Sequence, residues 1–214
     1  MATAERRARE KEQRRQEILD AARKVFFFKG IHSATVEDVA AEAELGKGTI
    51  YLYFSSKEEI LAHLLLEGFD LLIEQLEEAS SDEATTPSER IRHLAYAYLH
   101  FFQEYPGYFR LMVAFDRGRL QEKLPSELCE EIKVRNREAL SWVSKAIEEG
   151  IEKGYFRPGD PWLIAGALWA SIHGILLVMS IPFRREILGF TLEEMVETAL
   201  QTLLKGLESP QATT

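Results

Sequence analysis

The apolar residues of this chain recur at helical spacing along most of its length. Stripes at i, i+3, i+4 and i+7 predict amphipathic helices over residues 57–79, 87–104, 126–153 and 191–207. A shorter helix is expected to end near Phe115. Because this period continues through the middle of the chain, the pattern predicts an all-α fold.

Residues that can cap helices stand where several of these stripes begin. In a capping box, a Ser or Thr side chain and an acidic side chain three residues later each bond the other's backbone N–H. Four pairs have this spacing: Thr35 with Asp38, Ser55 with Glu58, Thr86 with Glu89, and Thr191 with Glu194. Each pair predicts the start of a helix.

Residues 33–57 are typical of two short helices joined by a tight turn. Thr35 opens the first helix and Lys47 the second, with Leu45 as an apolar plug beneath the turn. Gly46 is expected to take a backbone conformation that other residues resist. The inward positions are Val36, Val39, Ala40 and Ala43 in the first helix, and Ile50 and Phe54 in the second. This arrangement is a helix-turn-helix.

The residues left on the outer face suit contact with DNA. The second helix of such a motif lies in the major groove with its N-terminal residues at base edges. Lys47 offers charge, Thr49 a hydroxyl and a methyl group, and Gly48 a close backbone approach. Phenolic and cationic groups nearby suit phosphate oxygens, which take half or more of such hydrogen bonds. The predicted DNA-binding residues are Thr35, Lys47, Gly48, Thr49, Tyr51, Tyr53 and Lys57.

On these residues, segment 18–60 resembles the DNA-binding domain of the Tet repressor (TetR/AcrR) family of bacterial transcription factors. The matching residues are Phe26, Gly30, Thr35, Val36, Asp38, Val39, Ala40, Lys47, Gly48, Thr49, Ile50, Tyr51, Tyr53, Phe54, Ser56, Lys57 and Glu58. The family commonly has Gly where this chain has Glu44, and Ser where it has Gly46. Phe27 and Phe28 stand where at least one polar residue is expected, and we expect Phe28 to fill a pocket.

The resemblance implies an N-terminal three-helix helix-turn-helix domain, residues 1–56 with a basic arm, and a helical effector-binding and dimerisation domain, residues 57–214. It also implies that the last two helices of each subunit join in a four-helix bundle. A small molecule in the second domain would then shift residues 57–79 and change the separation of the two recognition helices. Such a two-fold dimer needs a palindromic operator.

Charge divides unevenly between the two predicted domains. The net charge is −9, but residues 1–55 carry 10 Lys and Arg against 9 Asp and Glu, whereas residues 56–214 carry 16 against 26. Six of the basic residues lie within residues 1–15, where one or two are expected to contact DNA. The others belong to a solvated helix with i,i+4 pairs such as Glu5 with Arg9. The acidity therefore belongs to the second domain.

Two features bear on the compartment. A single cysteine, Cys129, excludes an internal disulfide, and the N-terminus has no apolar signal sequence, so we expect a cytoplasmic protein. The uncharged run 161–183 is long enough to span a bilayer. However, its polar residues and the cap-and-proline start at Asp160 and Pro161 favour a helix in the centre of a helical domain. We therefore expect no membrane partner.

The run 161–183 and the final helix are the predicted dimer interface. The first mixes large and small side chains, as close helix packing requires, and the second carries more apolar surface than one neighbouring helix buries. The predicted interface residues are Trp162, Ala165, Trp169, Met195, Ala199 and Leu203.

The second domain is rich in aromatic residues, which line pockets for apolar ligands between helices. The candidate ligand-binding residues are Tyr96, Phe102, Phe109, Met112, Trp142, Trp169 and His173. The alternative for each of these residues is that it fills the hydrophobic core and contacts no ligand. A buried His173 would need a hydrogen-bond partner, which a ligand headgroup could supply.

The expected effector is small and apolar: a fatty acid or acyl thioester, or a lipophilic drug. The acidic second half disfavours a polyanion such as an acyl-CoA, although Arg117, Arg119 and Lys123 could form a basic entrance. His93 and His100 lie seven residues apart, but no third ligand is fixed at useful spacing, so no metal is expected.

Together these features predict a ligand-responsive transcription factor, more specifically a repressor released from a palindromic operator by a small apolar effector. The alternative is a DNA-binding regulator controlled by a protein partner, with no small-molecule effector. An enzyme is not expected, because the chain has no Gly-rich phosphate loop, paired carboxylate motif or metal cluster. No cofactor is implied.

Overall fold

A computed structural model of the chain describes residues 2–82, 85–116, 118 and 120–209. These residues form ten α-helices and no strand, so the all-α prediction is confirmed. The helices are α1 (Ala2–Lys29), α2 (Val36–Glu42), α3 (Lys47–Tyr51), α4 (Lys57–Ser80), α5 (Pro87–Glu104), α6 (Pro106–Asp116), α7 (Ser126–Glu152), α8 (Pro161–Met179), α9 (Pro182–Leu188) and α10 (Leu192–Leu207). A single 3-10 turn, Gln121–Lys123, precedes α7.

Three of the four predicted capping boxes are confirmed, at the starts of α2, α5 and α10. The fourth was placed one residue too early. Ser56, not Ser55, caps α4, because its hydroxyl accepts from the Glu59 N–H at 3.1 Å. The Glu59 carboxylate in turn accepts from the backbone N–H of Ser55 at 2.6 Å. Glu58 is left to pair with Lys123 at 2.7 Å.

The apolar run 161–183 forms two helices rather than one. α8 begins as predicted, with the Asp160 carboxylate accepting from two backbone N–H groups of its first turn. It ends at Met179, and Pro182, which has no N–H to continue a helix, starts the unpredicted α9. Gly189 closes α9 with φ of 71°, a left-handed conformation suited to glycine.

Within the single chain, α8 is buried on one side and exposed on the other. Only one stripe of it is buried, formed by Ala165, Leu168, Ile172, Leu176 and Met179. Trp162, Leu163 and Trp169 are exposed by 38%, 71% and 40%. By length and composition α8 is also apolar enough to cross a membrane, a test that core helices of soluble proteins pass as well. The helix thus keeps an apolar face that its own chain does not cover.

The chain divides into two compact units. Unit 1 comprises Met1–Gly68 and Pro106–Lys133, and unit 2 comprises Phe69–Tyr105 and Val134–Thr214. α4 and α7 therefore run from one unit into the other. The prediction was that the DNA-binding domain ends at residue 56. The division into these two units does not test which residues bind DNA, so that boundary stays a prediction.

Each unit has its own hydrophobic core. In unit 1, α2 packs against α1 and α3. The most deeply buried side chains of that group are Ile18, Ala22, Phe26, Val39, Ile50 and Phe54. In unit 2, α8 packs against α5, α9 and α10. Its core includes Leu94, Phe101, Ile147, Ile172, Leu176, Val196 and Leu200. The core of unit 1 fixes the angle at which α2 presents α3.

Candidate nucleic-acid interface

The turn between α2 and α3 is built differently from the sequence expectation. Gly46, expected to adopt an unusual backbone conformation, has an ordinary extended one, with φ of −71° and ψ of 143°. The left-handed residue is Glu44, with φ of 54°. A side chain in this region clashes with its own backbone, which costs about 1 kcal/mol or more relative to glycine. The strain of the turn therefore lies at Glu44.

We expect Glu44→Gly to stabilise the protein by about 1 kcal/mol, which corresponds to a rise in Tm of about 2–4 °C for a chain of this length. Glu42→Gly, two residues earlier in ordinary helical conformation, should instead lower the free energy of unfolding by about 0.5–1 kcal/mol. Thermal and urea unfolding of both variants would measure this difference. A decrease in stability for Glu44→Gly would show that its side chain compensates for the strain.

The outer face of α3 carries the groups predicted for it. Lys47, Gly48 and Tyr51 are exposed, while Thr49 and Tyr53 are half-buried. Ile50 and Phe54, exposed by 0% and 1%, anchor the opposite face as predicted. Leu52, which the sequence did not single out, follows α3 and is 78% exposed. α3 therefore presents a short, mixed polar and apolar surface to solvent.

The ammonium of Lys47 is held by two groups. It donates a hydrogen bond to the carboxylate of Glu37 on α2, and it lies 5.7 Å from the centre of the Tyr51 ring. The hydrogen bond lowers the pKa of Glu37 and raises the pKa of Lys47. Both groups are therefore charged at neutral pH. The sequence did not reveal this pair, because ten residues separate its members.

Thr35 and Asp38 hold the start of α2. The Thr35 hydroxyl accepts from the Asp38 N–H at 3.2 Å, and the Asp38 carboxylate accepts from the Thr35 N–H at 2.9 Å. Lys29 adds an ion pair to Asp38 at 2.7 Å. These hydrogen bonds, that of Lys29 foremost, lower the pKa of Asp38 to about 2. Thr35 therefore has a structural task, and its contact with DNA stays a prediction.

Lys57 also has a structural task that its sequence position did not suggest. Its ammonium donates to the backbone carbonyls of Ala34 at 2.5 Å and His32 at 3.4 Å. It lies 5.7 Å from the centre of the Phe26 ring, and its partial burial lowers its pKa. Lys57 thus ties the start of α4 to the segment before α2. A phosphate contact by Lys57 stays a prediction, and it would compete with these two carbonyls.

Arg15 links α1 to the corner between α3 and α4. One guanidinium nitrogen lies 2.6 Å from Nε2 of His63, and another donates to the Tyr53 carbonyl at 3.5 Å. The guanidinium also stacks 4.5 Å from the centre of the Phe54 ring. Because Arg15 can only donate, His63 must accept through an unprotonated Nε2. The cluster therefore requires neutral His63.

This requirement makes stability depend on pH. Burial, and then the charge of Arg15, lower the pKa of His63, against the opposite influence of Glu59, Glu131 and Glu67. A lowered folded-state pKa means that the stabilisation is present above the unfolded value of about 6.5 and is lost as pH falls through the folded value.

We therefore expect the free energy of unfolding to fall between pH 7.5 and 5.5 by more in the native protein than in His63→Gln, which keeps an acceptor but does not titrate. His100→Gln, at an exposed histidine on α5, is the matched control and should keep the native pH dependence. Urea unfolding at the two pH values would measure this. An equal fall in His63→Gln would contradict the assignment.

A polar network joins three helices of unit 1. Arg23 on α1 donates to Glu67 on α4 at 2.8 Å and to the Tyr108 hydroxyl on α6 at 2.7 Å. Tyr108 donates to Glu67 at 3.0 Å. Burial and the charge of Glu67 raise the pKa of Tyr108 to about 12, so the phenol stays protonated. The network fixes α6 against the helices that carry the helix-turn-helix.

The neighbouring phenylalanines behave differently from each other. Phe27 packs edge-on against Tyr108, with ring centres 4.9 Å apart, and covers Gly107. Phe28 is 91% exposed. The expectation that Phe28 fills a pocket was wrong, because successive residues of a helix point about 100° apart and Phe27 takes the inward direction.

The candidate ligand residues are distributed over both units. Phe109 and Met112 are buried in unit 1, exposed by 2% and 6%. In unit 2, His173 on α8 lies 2.7 Å from the Tyr98 hydroxyl on α5. The ring of Trp169 lies against that of His173, tilted by 30° and with ring centres 5.1 Å apart. His173 therefore has a protein hydrogen-bond partner, Tyr98, which the sequence reading did not name.

The remaining ligand candidates lie elsewhere in unit 2. The Tyr96 hydroxyl donates to Glu197 on α10 at 3.0 Å. Trp142 is half-buried beneath the ammonium of Lys145, 5.1 Å from the ring centre, and Phe102 is half-buried. The role of the whole set in ligand binding stays a prediction.

The predicted dimer residues are not equally available to a partner. Trp162 and Trp169 are exposed, and Met195, Ala199 and Leu203 are half-buried. Ala165 is 0% exposed, because the chain's own packing covers it. Its assignment to the interface was therefore wrong: it lies on the buried stripe of α8, and the small residues on the exposed side are Ala167 and Ala170.

The predicted basic entrance falls mostly outside the described residues. Arg117 and Arg119 lie outside the described residues, and Lys123 is paired with Glu58. Among the residues that the structure describes, no three His, Cys, Asp or Glu side chains are grouped to hold a metal ion.

Known families and proteins match most of the chain. The family profile described as "Bacterial regulatory proteins, tetR family" matches residues 18–64, and "Tetracyclin repressor-like, C-terminal domain" matches residues 91–203. The HTH-type transcriptional regulator YhgD of Bacillus subtilis is 30% identical over 156 residues, which cover 71% of this chain and 76% of that protein. The fatty acid metabolism regulator protein of B. subtilis is 30% identical over 151 residues, covering 71% and 75%.

A solved structure shares the fold. It is the transcriptional regulator FadR from B. subtilis in complex with stearoyl-CoA, with a TM-score of 0.68 and 24% identity. The match covers 90% of this chain and 99% of that one. The helical architecture is therefore common to both chains over nearly their full length.

Proposed function

Because the chain belongs to the tetR family of bacterial regulatory proteins, and is thus a DNA-binding transcriptional regulator, we propose that it is a homodimeric repressor that an acyl thioester releases from a palindromic operator. The observation that carries the DNA-binding half of this proposal is the outer face of α3. Lys47, Gly48 and Tyr51 are exposed there, and two core anchors hold the opposite side. Residues 1–56 are then the DNA-binding domain, and no catalytic step is assigned.

The exposed face of α8 supports the homodimer. Gly166 and Gly174 lie within the helix, where each glycine costs about 1 kcal/mol relative to alanine. A Cβ atom at either position would meet nothing within 4 Å, so packing inside the chain does not require these glycines. Close approach of a helix from a second subunit would require glycines at these two positions. Gly166 and Gly174 are half-buried, and the exposed Ala167 and Ala170 continue the same small-residue surface.

Apolar surface continues from α8 onto α9. All residues of 181–190 are exposed, and five of them are large and apolar: Ile181, Phe183, Ile187, Leu188 and Phe190. So many exposed large apolar side chains in one short segment are uncommon on a monomer and mark an interface. Together with the half-buried Met195, Ala199 and Leu203 of α10, it offers a partner subunit a broad contact.

Two-fold symmetry sets the form of the operator. A symmetric dimer presents two copies of α3, and half-sites one helical turn of DNA apart, about 34 Å or a multiple of it, place both in major grooves. The operator is then palindromic. Such a repressor acts where bacterial DNA is, in the cytoplasm.

The effector proposal rests on the relatives and on the chemistry of unit 2. The fatty acid metabolism regulator and the stearoyl-CoA complex described above both concern acyl chains. Unit 2 supplies aromatic surface and a hydrogen-bonding pair, Tyr98 with His173, which Trp169 contacts. An acyl thioester needs apolar walls for its chain and a donor for its carbonyl oxygen. The ligand acts if it prefers the dimer conformation that does not fit the operator.

Selection of bound sequences from random DNA tests the first half of the proposal. A palindrome is expected, and failure to enrich any sequence would refute operator recognition. The complex with that palindrome is then titrated with acyl-CoAs of short, medium and long chain, with free fatty acids and with coenzyme A alone. Release by acyl-CoA, together with a rise in Tm by ligand linkage, supports the effector. Release by none of these compounds would favour control by a protein partner.

A further inference from the structure

We infer that Glu37 on α2 reads a base in the major groove together with Lys47, accepting a hydrogen bond from a cytosine amino group while Lys47 donates to guanine. This inference rests on the proposed function and names a specificity residue outside α3. It is the carboxylate of the ion pair described above.

The position of Glu37 places it beside the reading end of α3. Lys47 is the first residue of that helix, and the N-terminal residues of a recognition helix meet base edges. The Glu37 carboxylate contacts the Lys47 ammonium, so both groups occupy the same place on the protein surface. Their side chains are 58% and 48% exposed, which leaves them open to a ligand.

The other acidic groups of α2 have tasks inside the protein. Asp38 closes the capping box and binds Lys29, and Glu42 pairs with Lys24 on α1 at 3.4 Å. Glu37 does not close the capping box, although its carboxylate also interacts with the Thr35 side chain and with its own backbone N–H; its first partner is Lys47. An exposed ion pair such as Glu37 with Lys47 contributes little to stability because water screens both charges, so stability alone explains little of its placement.

A carboxylate at this place works against attraction to phosphates. It neutralises Lys47, and it repels the DNA backbone, so it lowers affinity for DNA of any sequence. It can be favourable only where it meets a hydrogen-bond donor of the DNA, and the donors in the major groove are the amino groups of cytosine and adenine. Glu37 therefore lowers affinity for most DNA sequences but less so where an amino group meets it, and this difference is a sequence preference.

The pair matches one base-pair edge in particular. A G·C pair displays the O6 and N7 acceptors of guanine next to the N4 amino donor of cytosine. Lys47 with Glu37 displays a donor next to an acceptor, which is the complementary arrangement. Tyr51 beneath the Lys47 ammonium limits the directions in which Lys47 can point. An A·T pair also offers acceptors beside its amino group, the adenine N7 and the thymine O4. The G·C edge fits the two residues best, because guanine O6 and N7 together are the usual partners of a lysine and the cytosine N4 amino group is the usual partner of a glutamate.

Glu37→Gln tests the inference, with Glu42→Gln as the matched control. Both changes remove one negative charge from an exposed, lysine-paired glutamate of the same helix. After selection from random DNA, Glu37→Gln should lose the preference for cytosine at one position of each half-site and gain adenine, which a glutamine amide binds through two hydrogen bonds. Affinity for the native operator should fall about tenfold, while affinity for random DNA stays equal or rises. Glu42→Gln should select the native sequence.

Two results would overturn the inference. In the first, Glu37→Gln selects the same sequence as the native protein. In the second, Glu37→Gln gains affinity for every sequence by the same factor, which is the result expected if Glu37 only repels the DNA phosphates. In both cases the native protein's own palindrome would leave the proposed function standing. If the native protein selects no sequence, the proposed function fails together with the inference.

Discussion

Ala170→Glu is expected to convert the dimer into monomers and to lower operator affinity by about 100-fold or more. Ala170 lies on the exposed side of α8, on the surface that includes Gly166 and Gly174. In a two-fold interface the new carboxylate would lose its water and face its own copy or the apolar surface around it. A charge buried without a partner strongly destabilises an interface.

Operator affinity falls because the two DNA-binding domains are no longer joined in one molecule. In a dimer the second half-site binds at an effective concentration in the millimolar range, which strengthens binding by about 100-fold to 10,000-fold over one head alone. A monomer retains only the affinity of one DNA-binding domain for one half-site. Sedimentation velocity would measure the subunit state, and titration of the operator the affinity.

Val134→Glu is the matched control for this change. Val134 is an apolar residue of α7 in unit 2, 60% exposed, and it lies on neither α8 nor α10. The same carboxylate there should leave both the dimer and the operator affinity unchanged. If Ala170→Glu stays dimeric and binds the operator normally, the two subunits do not meet through this face of α8.

Gly48→Glu is expected to abolish operator binding while slightly stabilising the fold. Gly48 is exposed on the outer face of α3, and a Cβ atom there meets nothing within 4 Å. Replacing a helical glycine with glutamate favours the helix by about 0.5–1 kcal/mol. In the complex, however, the added carboxylate would enter the groove among phosphates, and we expect a loss of about 100-fold or more.

Gly48→Gln separates the charge from the bulk of the new side chain. Glutamine has nearly the same size and helix propensity as glutamate but carries no charge. Its affinity should therefore lie between those of the native protein and Gly48→Glu, and the gap between the two variants should narrow as salt screens the phosphates. Equal affinity of all three proteins for the operator would show that Gly48 does not face DNA. Thermal unfolding verifies that each variant is folded.

The helix boundaries were predictable because they depend on short stretches of chain. The starts of α5 and α10 follow from capping boxes that span four residues, and the start of α8 follows from Asp160 and Pro161. The one capping error, Ser55 in place of Ser56, arose because adjacent serines and glutamates offer the same spacing in two registers. Only the packed start of α4 decides between them.

The turn of the helix-turn-helix shows the limit of a residue-type argument. Gly46, which has no side chain, was expected to adopt the unusual backbone conformation of the turn. The left-handed residue is instead Glu44. The positions of α2 and α3 are fixed by their buried faces, and the connecting backbone takes whichever conformation joins them. Tertiary packing thus overrode the local preference of glutamate.

The sequence by itself determined most of the helices and the residues on the outer face of α3, because caps and helical periods act within a few residues of one another. The resemblance of residues 18–60 to the Tet repressor family indicated the class of the protein. The tertiary structure alone decided which distant groups meet. It paired Lys47 with Glu37, placed Lys57 on the carbonyls of Ala34 and His32, and turned Ala165 inward. Such contacts depend on how helices pack and not on spacing along the chain.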